Sequence, residues 1–120
     1  MRYRVTNATR NTLLGDDVAK ATSFAARFMG LMGVRHFPVG SGLYLAPCTS
    51  VHTFFMRLPI DVLFLGPGYA VLDVSHALAP WKMSRWYPDA AGVLELPAGL
   101  ATASGTQVGD TLAFAELPTP

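Results

Sequence analysis

The chain has 120 residues, 51% of them hydrophobic and only 14% charged, with a formal net charge of +1. That length suits one domain with its own core, while the charged fraction falls below the roughly 25% of an ordinary soluble domain. Nine dispersed basic residues argue against a nucleic-acid partner, and no apolar run approaches the roughly 20 residues of a membrane span.

A surface so short of charge is expected to be covered somewhere, which makes a homodimer or another partner a candidate. Cys48 is the single cysteine, so no internal disulfide forms. His36, His52 and His76 have no ligand spacing between them, and neither a metal nor a cofactor is expected. The amino terminus carries no apolar leader core, which predicts a cytoplasmic protein.

Eleven Gly and nine Pro cut the chain into short pieces that favour strands. The predicted elements begin with strands over Tyr3 to Thr6 and Thr12 to Leu14. The best helical stretch follows, from about Thr22 to Met32. Thr22 or Ser23 caps it, Phe24, Phe28 and Leu31 share one face, and Gly30 and Gly33 stop it. Further strands are predicted at Gly42 to Leu45, Val51 to Phe55, Ile60 to Leu65, Ala70 to Val74, Gly92 to Leu96 and Thr111 to Phe114. Gly66-Pro67-Gly68 reads as a hairpin turn, and Gly109-Asp110 as a turn into the closing strand. With so few helices between strands, parallel βαβ winding is not expected. The expected fold is mainly β: a single small antiparallel barrel or curled sheet with one short helix packed on it. It occupies residues 1–116, and 117–120 form a disordered tail.

Chemistry concentrates between Cys48 and Asp61, where a thiol, an imidazole and a carboxylate interrupt apolar, strand-forming residues. Buried polar groups need partners or a function. His52 is the candidate acid–base group, with Cys48 and Asp61 assisting. On one straight strand Cys48 and His52 would stand roughly 13 Å apart, so they meet only if Thr49-Ser50 turns. Each has a structural alternative: Cys48 as a core filler, His52 bonded to a backbone carbonyl or to Asp61, and Asp61 as a turn cap. Arg27 and Arg57 offer countercharge to a carboxylate or an anionic ligand. The second feature is Trp81-Lys82-Met83-Ser84-Arg85-Trp86-Tyr87, whose aromatics and cations could line a pocket, form an interaction surface or plug a barrel end. Glu95 alternates with aliphatics and is expected to face solvent, unless its face forms the pocket.

Arg27-Phe28-Met29-Gly30-Leu31-Met32, Phe54-Phe55-Met56, Pro59-Ile60-Asp61-Val62-Leu63-Phe64, Val93-Leu94-Glu95-Leu96-Pro97-Ala98-Gly99 and Gly109-Asp110 occur in an order that resembles the domain of unknown function 192 family (DUF192), small uncharacterised bacterial and archaeal proteins. The resemblance spans about Ala19 to Phe114. It implies a compact β-rich domain with one helix, and no activity. Family members carry a Lys-Asn-Thr-type insertion between Met and Pro. Here only Arg57-Leu58 stands there, so any role of that Asn does not transfer.

Three functional readings follow. The first is a module binding a small polar or anionic molecule through Arg27, Thr53, Trp81, Arg85 and Trp86, with His52 and Asp61 in the same pocket. The second is a small enzyme built on His52. The third is an adaptor that docks through the Trp81 to Tyr87 loop.

Overall fold

The computed structural model describes residues 1–118, with the backbone alone at Phe24 and Phe28. Seven strands form one sheet in the order β5-β4-β6-β3-β2-β1-β7. They are β1 Arg2–Asn7, β2 Thr12–Ala21, β3 Gly40–Leu45, β4 Ile60–Leu65, β5 Val71–Leu78, β6 Gly92–Pro97 and β7 Leu112–Glu116. Every neighbouring pair is antiparallel except β2 and β3, which run parallel across the connection that holds helix α1, Phe24–Met29. The sheet curls until its two ends approach. Ala70 bridges Thr111, and Val71 exchanges backbone hydrogen bonds with Gly109 and Asp110 at the turn before β7.

The mainly β, curled architecture is the one predicted. Three local readings change. Helix α1 is shorter than the expected span, capped by Ser23, whose hydroxyl accepts the Ala26 N–H, and ended by Gly30 at φ 47°. The inward face expected of Phe24 and Phe28 lies outside the described side chains. A second short helix, α2 at Leu100–Ala103, was not anticipated. The strand expected at Val51 to Phe55 is an irregular segment, joined to the sheet's neighbourhood by one bridge from His52 to Met83. Its backbone groups bond to the 81–87 loop instead: Thr53 N–H to the Lys82 carbonyl, Trp81 N–H to the Thr53 carbonyl, Ser84 N–H to the Val51 carbonyl and Tyr87 N–H to the Thr49 carbonyl. Phe55, at φ 63°, turns the chain out of the extended region and ends any ladder there. At the carboxyl end the Leu117 N–H donates to the Arg2 carbonyl at 2.8 Å; the rest of the expected tail, 119–120, lies outside the described residues.

Strands β4 and β6 are buried along their whole length, so each side of the sheet's middle carries its own core. Leu63, Leu65, Leu94 and Leu96 pack with Val5, Leu14, Val18 and Tyr44 on one side. Ile60, Val62, Phe64 and Val93 pack with Val51 and Met56 on the other. The irregular 46–59 segment therefore covers this second face of the sheet, and the candidate site lies beneath it.

Candidate functional site

A pocket of about 210 Å³ opens between the end of α1, the covering segment and β6. Arg27, Gly30 and Met32 come from α1 and the turn after it, Cys48, His52 and Met56 from the covering segment, and Glu95 from β6. Glu95 was expected to face solvent unless its face forms the pocket. It is 3% exposed, and among the described residues its Oε1 finds no hydrogen-bond partner. The register explains the difference. Glu95 pairs with Val62 across β4 and with Leu43 across β3, in the middle of a sheet whose second face is roofed. Opposite residues share a face, so Glu95 points to the side of Val62 and Val93. Gly30 closes over it: a Cβ built on Gly30 would lie 3.8 Å from Glu95 Oε1. Burial pushes the Glu95 carboxyl from 4.5 up to about 8, because ionising it in this setting forfeits solvation that nothing replaces. At neutral pH the group is chiefly a carboxylic acid, able to donate.

Cys48 feels the charges of both Glu95 and Arg27. The Cys48 thiol donates to the Ser50 carbonyl at 2.9 Å, which supplies the turn that brings Cys48 and His52 to one pocket. Burial raises the thiol most, a hydrogen bond with the Ser50 backbone lowers it, nearby Glu95 raises it again and Arg27 lowers it, for a net upward shift. Cys48 is therefore held as a thiol, the opposite of an activated nucleophile. The half-buried Arg27 donates to the Thr22 carbonyl and takes part in neither ion pair seen among the described residues. The Phe54 N–H donates to His52 Nδ1 at 3.2 Å, and the imidazole lies 5.1 Å from the Phe54 ring.

The other expected site residues are elsewhere. Asp61 is fully buried on the opposite face of the sheet, paired with Leu96. Its Oδ1 accepts the Ala77 N–H and its Oδ2 the Ala101 N–H, both at 2.8 Å. It ties β5 and α2 to β4 and does not orient His52. Thr53 is fully buried as well; its hydroxyl donates to the Ala79 carbonyl at 2.6 Å and accepts the Lys82 N–H at 2.8 Å. It anchors the aromatic loop and lines neither this pocket nor the groove beside Trp81. Arg85 and Trp86 are exposed and outside the pocket. Trp81 lines a second, shallower groove with Met32, Gly33, Phe55, Met56 and Arg57. Tyr87 is structural: it stacks on Phe64 at 4.0 Å and its hydroxyl donates to Asp73.

Of the residues singled out in the sequence, Arg27, Cys48 and His52 line one pocket, and Glu95, expected in solvent unless its face forms the pocket, lines it too. The signal was present. Val93 and Pro97 flank Glu95 on its own face, while Leu94 and Leu96 are apolar on the other. A strand apolar on both faces is a doubly buried one.

The class the fold defines is a small curled β-sheet roofed by an irregular segment. The chain belongs to the DUF192 family, an uncharacterized ACR, which it matches over residues 5–114. It is 33% identical over 111 residues to a UPF0127 protein of Pyrococcus furiosus, covering 88% of this chain and 93% of that one. It is 31% identical over 113 residues to a UPF0127 protein of Pyrococcus horikoshii, covering 90% and 96%. Among solved structures, a protein of unknown function from Novosphingobium aromaticivorans superposes with a TM-score of 0.81 at 20% identity, covering 94% of this chain and 84% of that one. A chain from Sinorhizobium meliloti gives a TM-score of 0.80 at 26% identity, covering 94% and 92%. No helix among the described residues is long and apolar enough to cross a membrane.

Proposed function

We propose that this protein binds a small polar or anionic molecule in the pocket under the 46–59 segment, held between Arg27 and Glu95. The observation that carries the reading is Glu95 Oε1, buried against the pocket with no hydrogen-bond partner among the described residues. An unsatisfied buried oxygen costs roughly 1–3 kcal/mol, and a ligand that bonds to it removes that penalty. Arg27 supplies a cation, the thiol is neutral, and Glu95 enters as a donor, so the pocket favours an acceptor of negative charge. At about 210 Å³ it is smaller than the roughly 300–1,000 Å³ of drug-sized sites, which restricts it to small groups.

The test is calorimetric titration with acetate, glycolate and inorganic phosphate at pH 6.5, repeated with Glu95→Leu and Arg27→Gln. At least one anion is expected to bind in the millimolar range or better, at least tenfold more weakly in either variant. Binding should weaken as pH rises past about 8, where Glu95 loses the proton it donates; Arg27, Cys48 and His52 share the pocket, and Cys48, already raised, ionises on the same side. No binding by any of the three, or equal binding by both variants, overturns the reading. The same carboxyl supports a second one. A group poised near neutrality beside an imidazole is equipped for acid–base chemistry, and chemical change in a bound ligand over hours, abolished by Glu95→Gln, would establish it.

A further inference from the structure

Met32 and Met56 line both the inner pocket and the outer groove, so the two compartments adjoin across a pair of methionines. The outer one is aromatic and open. Phe55 and Trp81 lie 4.7 Å apart at 59° and are 61% and 58% exposed, and Arg57 stands at its margin. Both rings sit on residues in the left-handed region, at φ 63° and 64°, where bulky side chains are uncommon and local strain is concentrated at functional sites. The hydrogen-bond frame keeps them there: Trp81 N–H donates to the Thr53 carbonyl, and Gly33 N–H to the Phe55 carbonyl. Thus the fully buried Thr53 serves this lip.

Resting on the proposed binding role, we infer that the ligand is an amphipathic organic acid, its polar head in the inner pocket and a flat apolar body in the Phe55–Trp81 groove. The charges fit an acid, because Arg27 and Arg57 flank the two compartments and Glu95 meets the head as a donor. The apolar body is called for by the exposed aromatic pair at the mouth, which a head group alone leaves uncovered. Methionine walls suit it, since an unbranched, polarizable side chain repacks around ligands of different outline.

Acetate and phenylacetate serve as probes for titration against the full chain and Trp81→Gly, which removes the indole at a position whose positive φ glycine accepts readily. Phenylacetate is expected to bind at least tenfold more tightly than acetate, and Trp81→Gly to erase that gain without changing acetate affinity. A gain below threefold, or one that survives in Trp81→Gly, overturns the inference while leaving the inner pocket's role intact. Binding of phosphate alone does the same. Absence of binding by every anion removes both. If light scattering shows that the parent self-associates and Trp81→Gly does not, the lip is covered by a second copy and the inference also falls.

Discussion

Replacing Glu95 with glutamine keeps the shape of the side chain and removes its ability to ionise, so it isolates what burial does to this carboxyl. The folded-state value is raised from 4.5 to about 8. A raised acid makes folding take up a proton, so its favourable contribution is whole below the unfolded value. It is lost as pH climbs through the interval and is gone above about 8. Each unit is worth about 1.4 kcal/mol, so the parent should lose about 4 kcal/mol relative to Glu95→Gln between pH 5 and pH 8. At pH 5 the two proteins should differ by roughly 1 kcal/mol or less, because both side chains are then neutral and the amide inherits the same poorly bonded setting.

The assay is urea denaturation of parent and variant at half-unit steps from pH 5 to pH 9, read as the difference between the two stabilities. Taking the difference cancels every other titrating group whose environment the substitution leaves alone. A difference that grows with pH and levels off near 8 supports a desolvated carboxyl. A difference constant within about 1 kcal/mol across the range would show that water reaches Glu95 freely, and the pocket would lose the feature that distinguishes it.

Other substitutions test neighbouring parts of the fold. Asp61→Ala strands the N–H groups of Ala77 and Ala101 and should lower unfolding stability by roughly 2–4 kcal/mol, with anion binding retained by what remains folded. Gly92→Ala should cost roughly 2–3 kcal/mol by chemical denaturation, since its added Cβ overlaps the hydroxyl and ring of the buried Tyr44. Asp110 is held at about 2 by Arg10, by Asn7 and by the Gln107 N–H. A depressed acid stabilises above its unfolded value, so this contribution should disappear as pH falls from about 4 toward 2, and Asp110→Asn should flatten that acid limb. Cys48, with its thiol pushed up by burial, should react with iodoacetamide at pH 7.5 more slowly than free cysteine.

The legible parts of the structure are those where one physical rule acts alone. Ile60–Leu65 is an apolar run interrupted only by Asp61 and ended by Gly66-Pro67-Gly68, and it is β4 residue for residue, with a single turn of 3₁₀ helix at Pro67–Tyr69 leading into its antiparallel partner β5. The misread parts are those where two rules compete. Val51 to Phe55 has strand-forming side chains, yet its backbone partners lie in the 81–87 loop, a pairing that no local pattern encodes. The two stretches singled out separately for their chemistry thus prove to be one substructure. The parallel pairing of β2 with β3 was likewise invisible, because it depends on the whole α1 connection folding across the sheet. Of the candidate residues, Arg27, Cys48 and His52 share one pocket, whereas Asp61 is bonded on the other face and Glu95 lines the pocket instead. Alternation was applied to Glu95 as though its strand had a wet face.

That exchange has a physical content. The sheet buries two carboxyl groups on opposite faces, Asp61 opposite Leu96 and Glu95 opposite Val62. Asp61 accepts two backbone N–H bonds, so every neighbour it has is improved by its presence. Glu95 accepts none at Oε1, and the fold would be more stable with an aliphatic there. The two side chains must therefore respond with opposite signs to the same experiment. Asp61→Leu should destabilise the protein and leave titration of the inner pocket unchanged. Glu95→Leu should stabilise it at pH 7, by about 3 kcal/mol if the whole shift is relieved, while abolishing anion binding. A stability gain coupled to loss of binding is the signature of a group retained for what it contacts rather than for what it supports. If Glu95→Leu proves destabilising, the carboxyl is bonded within the fold and the pocket has no claim on it.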